Sequence, residues 1–320
     1  MLASMNELVS QEFKVLFMKK ILMTGHLGLV GRCLKPLLES QGYLVQGFDI
    51  AEGSGDICQP EELKQALVRV KGVIHLAAVS RVIWGEQDPG LCWRTNAVAS
   101  EQLLKVACQQ TGIKPWVLVA SSREVYGEAD VLPVRDSMLL KPVNVYGRAK
   151  AYMEEKTLAA REAGLNTAVI RLANVYGCTM DHKDRVLPAF CFNAVRQADL
   201  RVDGRNHLFD FTHVSDTVRG LLSVVEQLEH NEKNLPPTHF LPGIGTTLGE
   251  AAEMAVKLAE SSSRIVEAPP RNYDVSRFIG DSTQAKELFG WQASITPEQG
   301  IGLLVEAFKN QSQEVPACKS

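Results

Sequence analysis

The chain has 320 residues, 45% of them hydrophobic, with 34 lysines and arginines against 37 aspartates and glutamates. That length allows a sizeable core in one large or two smaller domains, and the formal net charge of −3 leaves no basic excess for nucleic acid or a membrane surface. The cysteines at 33, 58, 92, 108, 178, 191 and 318 are odd in number and form no C-x-x-C pair, which argues against a disulfide frame or a zinc site and for reduced thiols in a cytoplasmic protein. No apolar run is long enough to span a bilayer.

Residues 1–17 read as an N-terminal extension, because Met18-Lys19-Lys20-Ile21-Leu22-Met23-Thr24-Gly25 looks like the opening of a domain. The extension lacks the basic start and apolar run of a secretory signal. From there strands and helices alternate. The apolar Lys20–Met23 predicts a strand and Val30–Ser40 a helix. Tyr43–Phe48 predicts a second strand, ending at Asp49, and Pro60–Val70 a helix entered through proline, where a missing N–H costs nothing. Gly72–Leu76 predicts a strand, Asn96–Gln110 a helix by periodicity, and Trp116–Ala120 a strand. Tyr146–Ala163 predicts a helix and Thr167–Arg171 a strand. Such alternation implies crossover units, hence an α/β fold with a doubly wound parallel sheet covered on both faces.

Beyond residue 177 the pattern changes to proline-marked loops and shorter elements, with helices over Val214–Glu229 and Leu248–Glu260. The expected organisation is a dinucleotide-binding domain over 18–177 that also receives parts of 206–245. A smaller α/β substrate lobe over 178–205 and 246–315 would close on the carboxyl edge of the sheet, where doubly wound folds bind ligands.

Thr24-Gly25-His26-Leu27-Gly28-Leu29-Val30-Gly31 follows the first strand and opens a helix. Gly25 permits the tight turn, Gly28 lets the backbone approach a pyrophosphate, and Gly31 allows close helix–strand packing, with the helix N-terminus facing the phosphates. His26 reads as a spacer. Asp49 ends the next strand, where a carboxylate accepts ribose hydroxyls and repels a 2′-phosphate. No arginine follows it, so the pattern favours NAD over NADP.

Tyr146 and Lys150 are four apart and share a helix face. A tyrosine with a pKa of about 10 is a poor base, but an ammonium and a positively charged nicotinamide both favour the phenolate. A drop of roughly 3 units needs about 4 kcal/mol. Ser122, at a strand end in Ser121-Ser122-Arg123-Glu124-Val125-Tyr126-Gly127, is placed to hold a substrate hydroxyl. Cradle, serine, tyrosine and lysine in this order make a nucleotide-dependent oxidoreductase site. The cysteines and histidines show no metal-ligand spacing, and His207, His213 and His239 read as packing residues. Ser80, Arg81 and Trp84 follow the third strand and are candidates for the substrate mouth.

These residues make the chain resemble the extended short-chain dehydrogenase/reductase family, the NAD-dependent sugar-nucleotide epimerases and dehydratases, from Met18 to about Trp291. The resemblance implies NAD as cofactor and a nucleotide sugar as substrate. It implies that Leu27, Leu29 and Val30 of the turn, Asp56 and Ile57 by the adenine, Leu76, Ala77 and Ala78 at a strand end, Asn96, Ser121, and Leu172 and Ala173 line the cofactor. Asn174, Leu187, Val202, Phe209 and Arg271 would lie on the substrate side, Arg271 against a diphosphate. Two departures stand out. The family usually carries an arginine where Phe209 stands, and Arg201 and Arg205 are candidates to compensate. Where 4,6-dehydratases carry Asp-Glu this chain has Arg123-Glu124, which disfavours dehydration, while nucleotide-glucuronate decarboxylases keep the glutamate. Glu124 is therefore either a catalytic group or simply the partner of Arg123. The expected activity is epimerisation through a transient 4-keto sugar, with decarboxylation and simple NAD-dependent reduction as rivals, and a non-catalytic NAD sensor or scaffold as the rival of another class. The family also implies a homodimer paired through the helices after Asn96 and Tyr146.

Overall fold

The computed structural model describes residues 19–112, 114–271, 273 and 275–314. The expected extension over 1–17, and residues 272 and 274 beside Arg271, lie outside them. Apolar runs bounded by turns make the central strands. β1 (Lys20–Thr24) leads through the glycine turn into α1 (Leu29–Ser40), then β2 (Leu44–Phe48), α2 (Pro60–Ala66) and β3 (Gly72–His75). Two short helices, α3 (Val82–Gln87) and α4 (Pro89–Trp93), precede a π-turn at Arg94–Val98 and α5 (Ala99–Cys108). β4 (Trp116–Ser122), α6 (Val145–Glu162) and β5 (Thr167–Leu172) follow.

The six-stranded sheet runs Thr238–Phe240, β5, β4, β3, β1, β2. β1 pairs in parallel with β2 and β3, and β3 with β4. The strand order reverses at β1 and β3, so their carboxyl ends flank the crevice where such folds take ligands. Leu22, Val73, Val117, Val119 and Val169 of the sheet form one buried cluster with Leu63 of α2, Leu103 and Leu104 of α5 and Met153 of α6. Burying each such side chain stabilises by about 1.5–3 kcal/mol. That packing holds the strand ends, and so the site residues on them, in fixed places.

The chain divides into two compact units. The first holds the described residues up to Val125, Asn144–Arg171 and Leu221–Thr238. The second holds Tyr126–Val143, Leu172–Gly220 and the described residues from His239 on. The sequence reading kept 126–143 in the dinucleotide domain, whereas this excursion packs with the second unit. Val134 bridges Gly280, Val134 N donates to Ile279 O at 2.7 Å, and Tyr126 stacks on Phe278. In the second unit Leu208–Asp210 lies between Gly245–Thr247 and Arg277–Phe278, and Leu200–Asp203 pairs with Ile265–Ala268. Its helices include Val186–Val195, Leu248–Ala259 and Pro297–Glu314.

Several elements differ from expectation. α2 stops at Ala66, not Val70, because Arg69 turns left-handed at φ +57°. Asn96 sits in the π-turn, one turn before α5. α3, α4 and the long Pro297–Glu314 helix were not expected. Gly300 and Gly302 weaken the last one's helical pattern, but Ile301, Leu304, Val305 and Phe308 give it a buried stripe.

Candidate active site

The glycine turn is built against the end of β3. Gly25 has φ +70°, and a Cβ on it would lie 2.5 Å from Ala77 N; one on Gly31 would lie 2.5 Å from His26 Cα. Both positions therefore require glycine. Gly28 caps α1 without any side-chain hydrogen bond, so the first-turn N–H groups of Leu29, Val30 and Gly31 are available to an anion. Asp49 ties this turn to the end of β2: Oδ2 accepts from Leu27 N at 3.1 Å and Oδ1 from Ala51 N at 2.9 Å. Each oxygen keeps a further lone pair for a ribose hydroxyl. Asp56 Oδ1 accepts from Cys58 N, and Ile57 is buried in the sheet cluster. His26 is buried, its Nε2 2.9 Å from Glu52 Oε1.

A directed hydrogen-bond chain locks the cradle to the helix beyond β3. Ser100 Oγ donates to Asn96 O at 2.9 Å, so it accepts from His75 Nε2–H, also at 2.9 Å. His75 Nδ1 then accepts from Thr24 Oγ1 at 2.7 Å, and Thr24 accepts from Ala77 N at 3.3 Å. This assigns the Nε2–H tautomer of His75. Burial first, then the Lys150 charge, pushes His75 down to about 3, so the ring stays neutral. Asn96 holds the loop after Leu76, Ala77 and Ala78 from both sides of one residue. Its Oδ1 accepts from Val79 N at 2.8 Å and its Nδ2 donates to Val79 O at 2.9 Å.

The proton-transfer residues meet at the end of β4 and the start of α6. Ser122 is buried, and its Oγ accepts from Glu124 N at 3.2 Å. The neighbouring Ser121 hydroxyl is buried with no hydrogen-bond partner among the described residues, the condition of a group that awaits a ligand. Together with the cradle it fits a dinucleotide. Lys150 Nζ donates to Ala120 O at 2.8 Å and stands 5.9 Å from the Tyr146 ring centre. Burial pushes Lys150 down to about 8, while Cys92 and Glu154 act to raise it. Near neutral pH Lys150 is still charged and able to favour the phenolate.

Glu124 is buried and engaged twice: Oε1 faces Arg123 Nη2 at 2.9 Å and Oε2 accepts from Asn144 Nδ2 at 2.8 Å. Asn144 in turn caps α6, its Oδ1 accepting from Gly147 N at 2.8 Å, a contact that contributes about 0.5–2 kcal/mol. Glu86 Oε1 takes the adjacent Val145 N–H at 3.0 Å. The turn that carries Tyr146 is thus gripped on both sides. Sequence reasoning missed Glu86, Asn144 and Glu154. Asn144 carried a signal, an asparagine immediately before a helix; Glu86, far along the chain, carried none.

Ser80 is exposed, and Arg81 lies over the Trp84 ring at 5.2 Å. The remaining expected substrate residues lie in the second unit. Asn174 has φ +37° and reaches Asp210 O at 3.4 Å. Leu187 and Val202 are buried; Leu172, partly buried, and Ala173, buried, were expected by the cofactor within the dinucleotide domain and also fall in the second unit. Phe209 is buried between the rings of His207 and Phe211. Arg271 is exposed, over Tyr273. The two arginines expected to compensate for Phe209 are engaged, Arg201 with Asp203 at 2.8 Å and Arg205 with Glu253 and Glu267.

The model of the NAD dependent epimerase/dehydratase family matches residues 21–237. UDP-glucuronic acid decarboxylase 1 of Danio rerio is 27% identical over 317 residues, covering 92% of this chain and 73% of the relative. UDP-glucose 4-epimerase of Thermotoga maritima, solved with UDP-glucose, superposes with a TM-score of 0.85 at 28% identity, over 92% of this chain and 99% of that one. MoeE5, solved with UDP-glucuronic acid and NAD, gives 0.82 at 25% identity over 92% and 99%. Among the described residues no helix is long and apolar enough to cross a membrane. The chain therefore belongs to the NAD-dependent epimerase/dehydratase family, with NAD as its cofactor.

Proposed function

We propose that the protein epimerises a nucleotide-activated sugar at a secondary hydroxyl, through a keto sugar held in the site. The observation that carries this reading over its rivals is the double engagement of Glu124. The one carboxylate placed to assist decarboxylation is spent on Arg123 and on Asn144, the cap of the tyrosine's own helix. NAD, when bound by Gly25, Gly28, Gly31 and Asp49, supplies the acceptor and later the donor of the hydride. Tyr146 takes the hydroxyl proton as the carbon–hydrogen bond breaks and returns it when the opposite face is reduced. Lys150 favours the phenolate by its charge, and Ser122 holds the reacting oxygen. No net redox change results, so cofactor is not consumed.

A second reading is favoured by a specific finding. The curated relatives include a series of UDP-glucuronic acid decarboxylases at 26–28% identity. The same oxidation next to a carboxylate would release carbon dioxide. Incubation of the protein and NAD with UDP-glucose and UDP-glucuronate, read by mass and proton NMR, separates the two. An isomer of unchanged mass is the expected product. Loss of carbon dioxide transfers the assignment to decarboxylase, and stoichiometric conversion of the added NAD to NADH, with a product two hydrogens lighter, to a simple NAD-dependent oxidoreductase. No product from any nucleotide sugar overturns the substrate class. A homodimer is part of the same reading. Leu91, Trp93 and Val98 stand exposed on α4 and the π-turn before α5, an apolar surface suited to a second copy. Light scattering at the mass of one chain would overturn it.

A further inference from the structure

Lys150, Glu154 and Arg171 are all buried in the first unit. Lys150 and Glu154 are one helical turn apart on α6, where an ammonium and a carboxylate share a face and ordinarily pair. Here a third group takes the carboxylate. Arg171 of β5 places Nε 3.0 Å from Glu154 Oε1 and 3.2 Å from Oε2, with Nη2 2.7 Å from Oε2. The planar guanidinium engages both oxygens of the carboxylate, which a point-like ammonium does not. Lys150 donates instead to the carbonyl of Ala120, at 2.8 Å.

The other groups facing Lys150 do not replace that anion. Tyr146 presents its ring at 5.9 Å. His75 is held neutral by burial. Cys92 is raised by burial, so its thiol carries no charge at neutral pH. Glu154 is thus the carboxylate that decides the surroundings of Lys150.

We propose that Arg171 is a positioning residue that withholds Glu154 from Lys150, so that the ammonium faces a neutral ion pair and keeps its place on the Ala120 carbonyl beside Tyr146. A direct Lys150–Glu154 bond would draw the ammonium one turn away from Tyr146 and stabilise its charge against use. Burial lowers Lys150 to about 8, against the smaller raising effects of Cys92 and Glu154. The role rests on the reading of Tyr146 and Lys150 as the proton-transfer pair.

The test is a titration of Lys150 in the protein alone, with 13C-labelled lysine. Its Cε resonance is identified by its loss in Lys150→Arg, and followed by NMR from about pH 6 to about pH 11, the span around the ordinary lysine value. Glu154→Gln leaves Arg171 as an uncompensated cation and should lower the Lys150 midpoint by about one unit. Arg171→Met frees the carboxylate and should raise it by about one unit or more. E154Q/R171M removes both charges and should return the midpoint to within about 0.3 unit of the wild type. A merely structural pair would lower melting temperatures without moving the midpoint. An unmoved midpoint in folded E154Q overturns the proposal, and so does a double variant displaced by more than about half a unit, which decides the matter even where the single variants fail to fold. Because no substrate is present, failure of the epimerase reading leaves this result standing, and the reverse holds.

Discussion

Glu154 and Asp210 are carboxylates equally removed from water, at 2% and 0% exposure, one in each unit. Glu154 meets a guanidinium on both oxygens. Among the described residues Asp210 meets no cation: Oδ2 accepts from the N–H groups of Gly243 at 3.0 Å and Gly280 at 3.3 Å, while Oδ1 has no hydrogen-bond partner. Burial pushes Asp210 up to about 7, against those backbone donors. The arginines Arg201, Arg205 and Arg264 of that unit pair with acids at or near its surface. The difference teaches where charge is kept ready. The first unit holds Arg171 with Glu154 and Arg123 with Glu124 as buried pairs around the helix of Tyr146, with Lys150 on a carbonyl beside them, and the second leaves a buried carboxyl, Asp210, that stays largely protonated below neutrality.

The largest expected effect would break this comparison outright. Tyr146→Phe removes the proton acceptor around which the first unit's charges are arranged, and should lower kcat by about a hundredfold to ten-thousandfold. NAD binding, measured by fluorescence titration, should be unchanged, since the cradle is built from other residues. Retained turnover would show that the ordered charges serve something else.

A smaller effect sharpens it through pH. Between its ordinary value of 3.8 and about 7, folded Asp210 keeps a proton that the unfolded chain has released. Its contribution to stability is therefore complete below 3.8 and is lost as pH rises through that window, by an amount on the order of a few kcal/mol. Asp210→Asn should flatten the fall of Tm between about pH 4 and about pH 8; an unchanged slope would place the loss elsewhere. His75 has the opposite sign. It is neutral when folded down to about 3, while the unfolded chain gains its proton below 6.5, so its contribution is lost as pH falls from 6.5 towards 3. The ring should keep the Nε2–H tautomer in 15N spectra down to about pH 4; protonation near 6 would contradict the buried relay.

Local patterns were legible in the chain and distant partners were not. The turn Gly25-x-x-Gly28-x-x-Gly31 and the pair Tyr146 and Lys150 are set by neighbouring residues, and the structure puts the one between strand and helix and the other on one helix face. The excursion over 126–143 was misplaced, because its loyalty to the second unit is carried by Gly280 and Phe278, far along the chain. Glu124 was read with two roles open, and its second partner, Asn144, is 20 residues away. The long helix Pro297–Glu314 was hidden by its own glycines until the core showed which side chains it buries.

The sequence by itself determined the alternation of the main strands and helices up to β5, the parallel sheet, the strand–glycine turn–helix and the placing of Tyr146 and Lys150 on one helix face, because each follows from spacing within a turn, a strand or a helix. Tertiary structure alone decided which charge each buried group serves. Glu154 lies within reach of Lys150 along the helix and of Arg171 across the sheet. The two cations compete for one carboxylate, and only the packing of α6 on β5 puts the guanidinium where it engages both oxygens.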